Sequence, residues 1–273
     1  MAFTKLKAAV VGAGKMGSYH INVLSEISNC EIVGVVDPYI EVQNYPSYKN
    51  IDDLLSDQDI DFAIIATPSI THAEIAEYLI KNGVHILIEK PVCTEMKDFH
   101  SLISAQNEYG VKIVVGHIER FNPVVRDVIS RINYDVEDII HFSITRKSEK
   151  VKRIKDVGID LDLSVHDLDL INFISNQEIV KCDKFYSQDQ LDIMLRMKND
   201  RLYTIHNNYF SKKAKRLLDI ITTKNEYNLN LMHIGNSNPL KDQDQAFINY
   251  ITDDNLDNLC LLNNSFNTMK FLL

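Results

Sequence analysis

The sequence predicts an α/β protein whose first half forms a doubly wound parallel sheet. Three observations carry that reading. Short β-branched apolar runs alternate with segments of helical spacing from residue 6 to residue 117, the order of elements that builds parallel sheets. A G-x-G-x-x-G stretch, Gly12, Gly14 and Gly17, sits where the first run gives way to the first helical segment. An aspartate, Asp37, closes the second run 20 residues beyond Gly17.

The opening run of "LKAAVVGAGKMG" is short and apolar throughout, as expected of a strand buried on both faces. Gly12 permits the tight turn, Gly14 lets the backbone approach a pyrophosphate, and Gly17 lets the helix pack close to the strand. Lys15 and Met16 open the helix, which continues with Ile21, Leu24 and Ile27 on its apolar side. Its free N–H groups and positive dipole end suit phosphates. "EIVGVVD" is the second strand, and Asp37 there can accept hydrogen bonds from both hydroxyls of an adenosine ribose. No arginine follows in "DPYIEV" to meet a 2′-phosphate, so the expected cofactor is NAD rather than NADP.

"DFAIIAT" is a third strand, and "ITHAEIAEYLIKNG" a helix closed by Gly83. "VHILIE" is a strand, "TEMKDFHSLISAQNEYG" a helix and "VKIVVGH" a strand. Ligands of such sheets sit at the carboxyl ends of the strands. Those ends carry Thr67 and Pro68, then Glu89, Lys90 and Pro91, then Gly116 and His117. In the second half, "QLDIMLRMKNDRLYTIHNNYF" has a hairpin pattern turning through Lys198, Asn199 and Asp200, and the tail from Asn238 reads as two helices split by a polar turn.

Composition fits a globular protein: 273 residues, 45% hydrophobic and 25% charged, enough for one or two domains. The net charge of -9 argues against a nucleic-acid partner, and the one basic cluster, "SKKAKR" at 211–216, reads as a solvated strand end or loop. No run reaches the roughly 18 apolar residues of a membrane span, and the N-terminus shows no signal peptide pattern. Cys30, Cys93, Cys182 and Cys260 are scattered, which suits a reduced cytoplasmic protein without a cysteine metal site. Cys93 reads as a small buried hydrophobe.

"DLDLSVHDLDL", residues 160–170, places Asp162, His166 and Asp169 at i, i+4 and i+7 of one helix face. Leu161 and Leu168 flank that stripe on one side, Leu163 and Leu170 on the other. Aspartate and histidine one turn apart can ligate a metal, but no further ligand is evident and the expectation is no metal. A hydrogen-bonded core histidine and a catalytic site are the other readings. Asp169 reads equally as a substrate contact or a helix-stabilising carboxylate.

Taken in order, "GAGKMG", "ATPSITHAE", "EKPV", "ERFNP" and "DLSVHDLDL" resemble the Gfo/Idh/MocA family of sugar and inositol oxidoreductases. The resemblance implies an N-terminal Rossmann domain over 1–119 and a C-terminal α/β domain over 120–273 with an open, mostly antiparallel sheet, used for substrate binding and oligomerisation. It implies a homodimer or homotetramer, and cofactor contacts from Gly12, Gly14, Lys15, Met16, Asp37, Thr67, Pro68, His72, Glu89 and Lys90. His20 and His72 recur in its motifs, with packing or hydrogen bonding near the dinucleotide as the modest reading. The catalytic set it implies is Lys90, Asp162 and His166, meeting in a cleft between domains.

The chemistry fits those residue types. Oxidising a secondary alcohol removes a proton from oxygen while hydride leaves carbon. An imidazole, titrating near ~6.5, serves as base at neutral pH, with Asp162 orienting it and Lys90 stabilising charge on the oxygen. Desolvation can instead make Lys90 the base.

"GHIERFNPVV" looks like the branch of UDP-N-acetylglucosamine 3-dehydrogenases and nucleotide-sugar relatives. That implies substrate contacts from Arg120 and Asn122, and from Lys152, Arg153 or Lys155, beside Lys90, Asp162 and His166. The same stretch reads as a helix start, with Asn122 as N-cap and Pro123 in the first turn. Alternatives are oxidation of a free sugar or inositol, a non-catalytic NAD-binding regulator, and a reductase of a non-sugar.

Overall fold

The computed structural model describes residues 5–134, 137–150 and 156–273. They form two units: Met1–His117 with Leu240–Ser265, and Ile118–Pro239 with Phe266–Leu273.

Unit 1 contains the expected alternation. Its strands are β1 (Leu6–Val11), β2 (Cys30–Val36), β3 (Ser47–Tyr48), β4 (Phe62–Ile65), β5 (His85–Glu89) and β6 (Ile113–Gly116). Its helices are α1 (Lys15–Ser25), α2 (Ile51–Asp57), α3 (His72–Lys81) and α4 (Met96–Tyr109). A late strand, β13 (Cys260–Leu261), completes the sheet order β13-β6-β5-β4-β1-β2-β3. All pairs are parallel except β13 with β6. β1 pairs with β2 on one side and β4 on the other, so the strand order reverses beside it, the place where such sheets bind ligands. Ala8 to Val10 and Phe62 to Ile65 have no exposed surface, which explains their unbroken apolar runs. α2 is an addition to the expected elements. Its N-cap Asn50 accepts a hydrogen bond from the Asp53 N–H at 2.8 Å.

The two units are divided differently from the domains expected from the sequence. The boundary lies at 117/118 rather than 119/120, and residues 240–265 return to unit 1 instead of continuing the second domain. They bring α7 (Pro239–Asp253) and β13. Phe247 of α7 meets Phe62 edge to face at 5.5 Å, and Lys112 donates to the carbonyls of Tyr250 and Ile251 near the helix C-terminus, where a cation is favoured.

Unit 2 has α5 (Pro123–Arg131), β7 (Ile139–Glu149), a π-type turn over Asp160–Ser164, α6 (Val165–Ser175), β8 (Ile179–Ser187), β9 (Gln190–Met197), β10 (Leu202–Asn208), β11 (Phe210–Thr222), β12 (Glu226–Asn230) and α8 (Phe266–Leu272). Its sheet runs β12-β11-β7-β10-β9-β8, antiparallel except for β7 with β10. The hairpin β9–β10 turns through Lys198, Asn199 and Asp200, the last in the left-handed region at φ 62°. Along β9, Leu191, Ile193, Leu195 and Met197 are buried and alternate with more exposed residues, the period of a strand with one covered face. Leu168, Leu170, Ile171 and Ile174 of α6 are fully buried. Among the described residues, no helix is long and apolar enough to cross a membrane.

Candidate functional site

The glycine loop after β1 has the geometry its spacing called for. Gly12 sits at φ +95°, and a Cβ there would lie 2.7 Å from the Ala66 carbonyl oxygen. A Cβ on Gly17 would fall 1.7 Å from the Gly12 oxygen, so glycine alone lets α1 close on the loop. A Cβ on Gly14 would meet nothing within 4 Å. The space beside Gly14 is therefore open where a pyrophosphate would approach. Lys15 and Met16 begin α1, whose first turn carries no acidic residue, so nothing there opposes an anion.

Asp37 follows β2 and is tied to the same loop. Its Oδ2 accepts from the Ala13 N–H at 2.9 Å, and its Oδ1 from the N–H groups of Tyr39 and Ile40, each at 2.9 Å. Burial works against its charge, but these three donors, with Lys49 nearby, hold the carboxyl below its ordinary range. A carboxylate has about four lone-pair sites, so Oδ2 keeps capacity for a ribose hydroxyl. The loop, the open space and the placed carboxylate fit an NAD-type dinucleotide.

The ends of β4 and β5 supply the next residues. Thr67 and Pro68 follow β4. The Thr71 hydroxyl donates to Thr67 Oγ1 at 2.9 Å, and the His72 ring lies between the carbonyls of Pro91 (2.8 Å) and Thr67 (2.9 Å). The modest reading of His72 thus has its geometry: it ties the β4 loop to the segment after β5. Glu89 ends β5 and is buried, and Lys90, half-buried, precedes Pro91 through a cis bond. His20 of α1 is fully buried between two carboxylates, with Nδ1 2.8 Å from Asp244 Oδ2 and Nε2 3.2 Å from Glu89 Oε1. Cys93 is buried, and burial pushes its thiol up to about 12, as expected of an inert packing residue.

In unit 2 the polar stripe does not begin as a regular helix. Asp162 lies in the π-type turn, a feature frequent at functional sites, and His166 in the first turn of α6. Asp162 is buried and its Oδ2 accepts from the Tyr209 hydroxyl at 2.8 Å. Burial, then the charge of Asp162, pushes the Tyr209 hydroxyl well up, so it stays a donor. His166 is half-buried. A cavity of about 190 Å³ opens beside Asp162 and Tyr209, lined also by Gln188, Asp189 and Lys150. Hydroxyl, amide, carboxylate and ammonium groups together suit a polyhydroxylated ligand.

Arg120 and Asn122, expected to reach the substrate, are engaged inside unit 2. Arg120 Nε and Nη2 donate to Asp169 at 2.8 and 2.7 Å, and its guanidinium stacks 4.6 Å from the Phe173 ring. Asp169 thus carries an ion pair within this unit. The Asn122 oxygen caps α5 through the Val124 N–H at 3.0 Å, while its amide donates to Glu119 and to the Leu231 carbonyl. Asn122 is the N-cap of α5 and Pro123 lies in its first turn. A second buried set joins them: Arg146 of β7 pairs with Asp167 and with Glu119, which Arg216 also reaches at 2.9 Å. Lys152, Arg153 and Lys155 lie outside the described residues.

Sequence reasoning missed Tyr209, Arg146 and Asp244. Tyr209 stands just past the hairpin, where strand alternation ends. Arg146 was the one signal available, an arginine at an inward position of an alternating strand.

Residues 6–117 match a family described as oxidoreductases with an NAD-binding Rossmann fold. The chain is 28% identical over 183 residues to the UDP-N-acetylglucosamine 3-dehydrogenase of Acidithiobacillus ferrooxidans, covering 64% of this chain and 56% of that protein. It is 29% identical over 195 residues to the scyllo-inositol 2-dehydrogenase (NAD(+)) of Bacillus subtilis, covering 64% and 55%. These matches span little more than half the length of either relative. In fold, the crystallised A. ferrooxidans enzyme matches 98% of this chain and 95% of its own with a TM-score of 0.87 at 20% identity. GenD2 from gentamicin A biosynthesis, solved in complex with NAD, matches 98% and 92% with a TM-score of 0.88 at 17% identity.

Proposed function

We propose, for a chain whose residues 6–117 belong to the Gfo/Idh/MocA oxidoreductase family, that it oxidises a secondary alcohol of a sugar or nucleotide sugar with NAD. The observation that carries the redox half is the Asp37 carboxylate anchored on Ala13 of the glycine loop, with open space at Gly14. The nicotinamide, when bound, takes the hydride. Gly12, Gly14, Lys15 and Met16 receive the pyrophosphate, and Asp37 accepts the ribose hydroxyls and disfavours a 2′-phosphate. Thr67, Pro68, His72 and Glu89 shape the strand ends beside them. His166 takes the hydroxyl proton of the substrate, and Lys90 donates a hydrogen bond to the oxygen that gains negative charge. Lys90 is the alternative proton acceptor. Asp162, with Tyr209, lines the cavity for ring hydroxyls. Arg120 and Asn122 act in this reading by positioning the Ile118–Phe121 turn and α5.

A UDP-N-acetylglucosamine-type sugar is the preferred substrate, supported by the likeness to the A. ferrooxidans dehydrogenase. Inositols are the second reading, supported by the likeness to the B. subtilis enzyme. The test is NADH formation against a panel of UDP-sugars, free sugars and inositols. His166→Ala is expected to keep NAD binding and lower turnover by about 10²- to 10⁴-fold; turnover within about tenfold of wild type removes the general-base role. Asp37→Ala is expected to weaken NAD relative to NADP, read by titration of both. No turnover across the panel, with NAD still bound, leaves the regulatory reading.

A further inference from the structure

The mechanism above uses Lys90 but not the buried charges behind it. His20 of α1 has both ring nitrogens on carboxylate oxygens, Asp244 of α7 at 2.8 Å and Glu89 of β5 at 3.2 Å, with His20 and Asp244 fully buried. An ionised carboxylate only accepts, and a neutral imidazole has one donor. Two ionised partners therefore require the doubly protonated ring.

We propose that Asp244 and His20 are positioning residues for Lys90: Asp244 holds His20 as an imidazolium, and that imidazolium pins the Glu89 carboxylate at the end of β5, fixing the point from which Lys90 leaves the strand. The inference rests on the role given to Lys90 above. Burial opposes the charge on His20, but the charge and hydrogen bond of Asp244, then those of Glu89, outweigh it and raise the imidazole to about 10. Burial likewise opposes the Glu89 charge, and His20 draws its carboxyl below the usual range. The Asp244 carboxyl stands above its ordinary range, raised foremost by burial and also by the Glu89 charge, with His20 working the other way. The other ionisable groups acting on the set are Lys90 and His72, the latter from α3, toward Glu89, and Cys30 of β2 near Asp244. The Glu89 side chain also lies against Gly116, where an added Cβ would come within 2.8 Å of Oε1. Glu89 is thus confined from β6 as well as from α1.

The test is an NMR titration of the full chain. Imidazole nitrogen signals report His20, and ¹³C-methylated lysine signals report Lys90, identified by Lys90→Arg. In the wild type, His20 is expected to stay doubly protonated through pH 8. Asp244→Asn, which keeps the side-chain shape, is expected to lower the proton affinity of His20 tenfold or more. At one fixed pH where His20 is neutral in Asp244→Asn and charged in the wild type, the Lys90 signal is expected to differ between the two proteins. A wild-type His20 that is neutral at pH 7, or a Lys90 signal unchanged between the wild type and Asp244→Asn at the comparison pH, overturns the proposal. Absence of turnover in the wild type overturns the proposed function instead, and the two titrations still decide this inference.

Discussion

The Asp169 carboxylate takes two parallel hydrogen bonds from the Arg120 guanidinium, at 2.8 Å from Nε and 2.7 Å from Nη2, and neither side chain is more than 6% exposed. A fork-on-fork pair of this kind is strong and directional. Removing one partner strands the other as a buried charge, at a cost of about 3–5 kcal/mol. Asp169→Ala is therefore expected to lower the unfolding free energy of the protein by that amount in urea titrations. Replacement of both residues by apolar ones of similar volume recovers most of the loss.

Gly14 and Gly17 separate binding from folding. An alanine at 14 meets nothing within 4 Å, whereas one at 17 runs into the Gly12 oxygen at 1.7 Å. Gly14→Ala is expected to change stability by no more than about 1 kcal/mol while weakening NAD(H) binding tenfold or more. Gly17→Ala is expected to melt well below wild type, since backbone must move. Thermal unfolding with and without NADH distinguishes the two, because a ligand that binds only the folded state raises its melting point.

Tyr209 supplies the hydroxyl on Asp162 Oδ2. Tyr209→Phe leaves a buried carboxylate short of one donor. A hydrogen bond to a charged group contributes about 1.5–3 kcal/mol, so stability falls within that range. In the proposed reading KM for the sugar rises more than kcat falls, measured by initial rates across substrate concentration.

His20 makes stability depend on pH. Its folded value of about 10 lies above its ordinary 6.5. The folded protein therefore holds the proton more tightly than the unfolded chain. The stabilisation is complete below 6.5 and is lost progressively as pH rises to about 10. It is on the order of a few kcal/mol. Urea unfolding at pH 6, 8 and 10 is expected to show the decline, and His20→Gln to flatten it.

The first sheet and its glycine loop were legible because their signals are local. Gly12, Gly14 and Gly17 answer to turn geometry and close approach within a few residues, and β1, β4 and β5 to uninterrupted burial. Asp37 was found because a strand of fixed rise carries it back to the loop it faces. Asn122 and Pro123 were legible as a helix start for the same reason, and Asn122 carries that cap.

The polar partnerships were decided only by the tertiary structure. Nothing in residues near Asp244 states that its carboxylate meets His20, 224 positions away, nor that α7 joins the first sheet rather than the second. Arg120 read as a substrate contact through the family resemblance alone, and its pairing with Asp169, 49 positions away, appears only in the fold. Asp162 read as a partner one helical turn from His166, and a π-type turn with Tyr209 at hand gave it another. Hydrophobic periodicity specifies which face of an element is covered. It carries no information on which distant charge will satisfy a buried one, because that pairing exists only once the sheets and helices have closed.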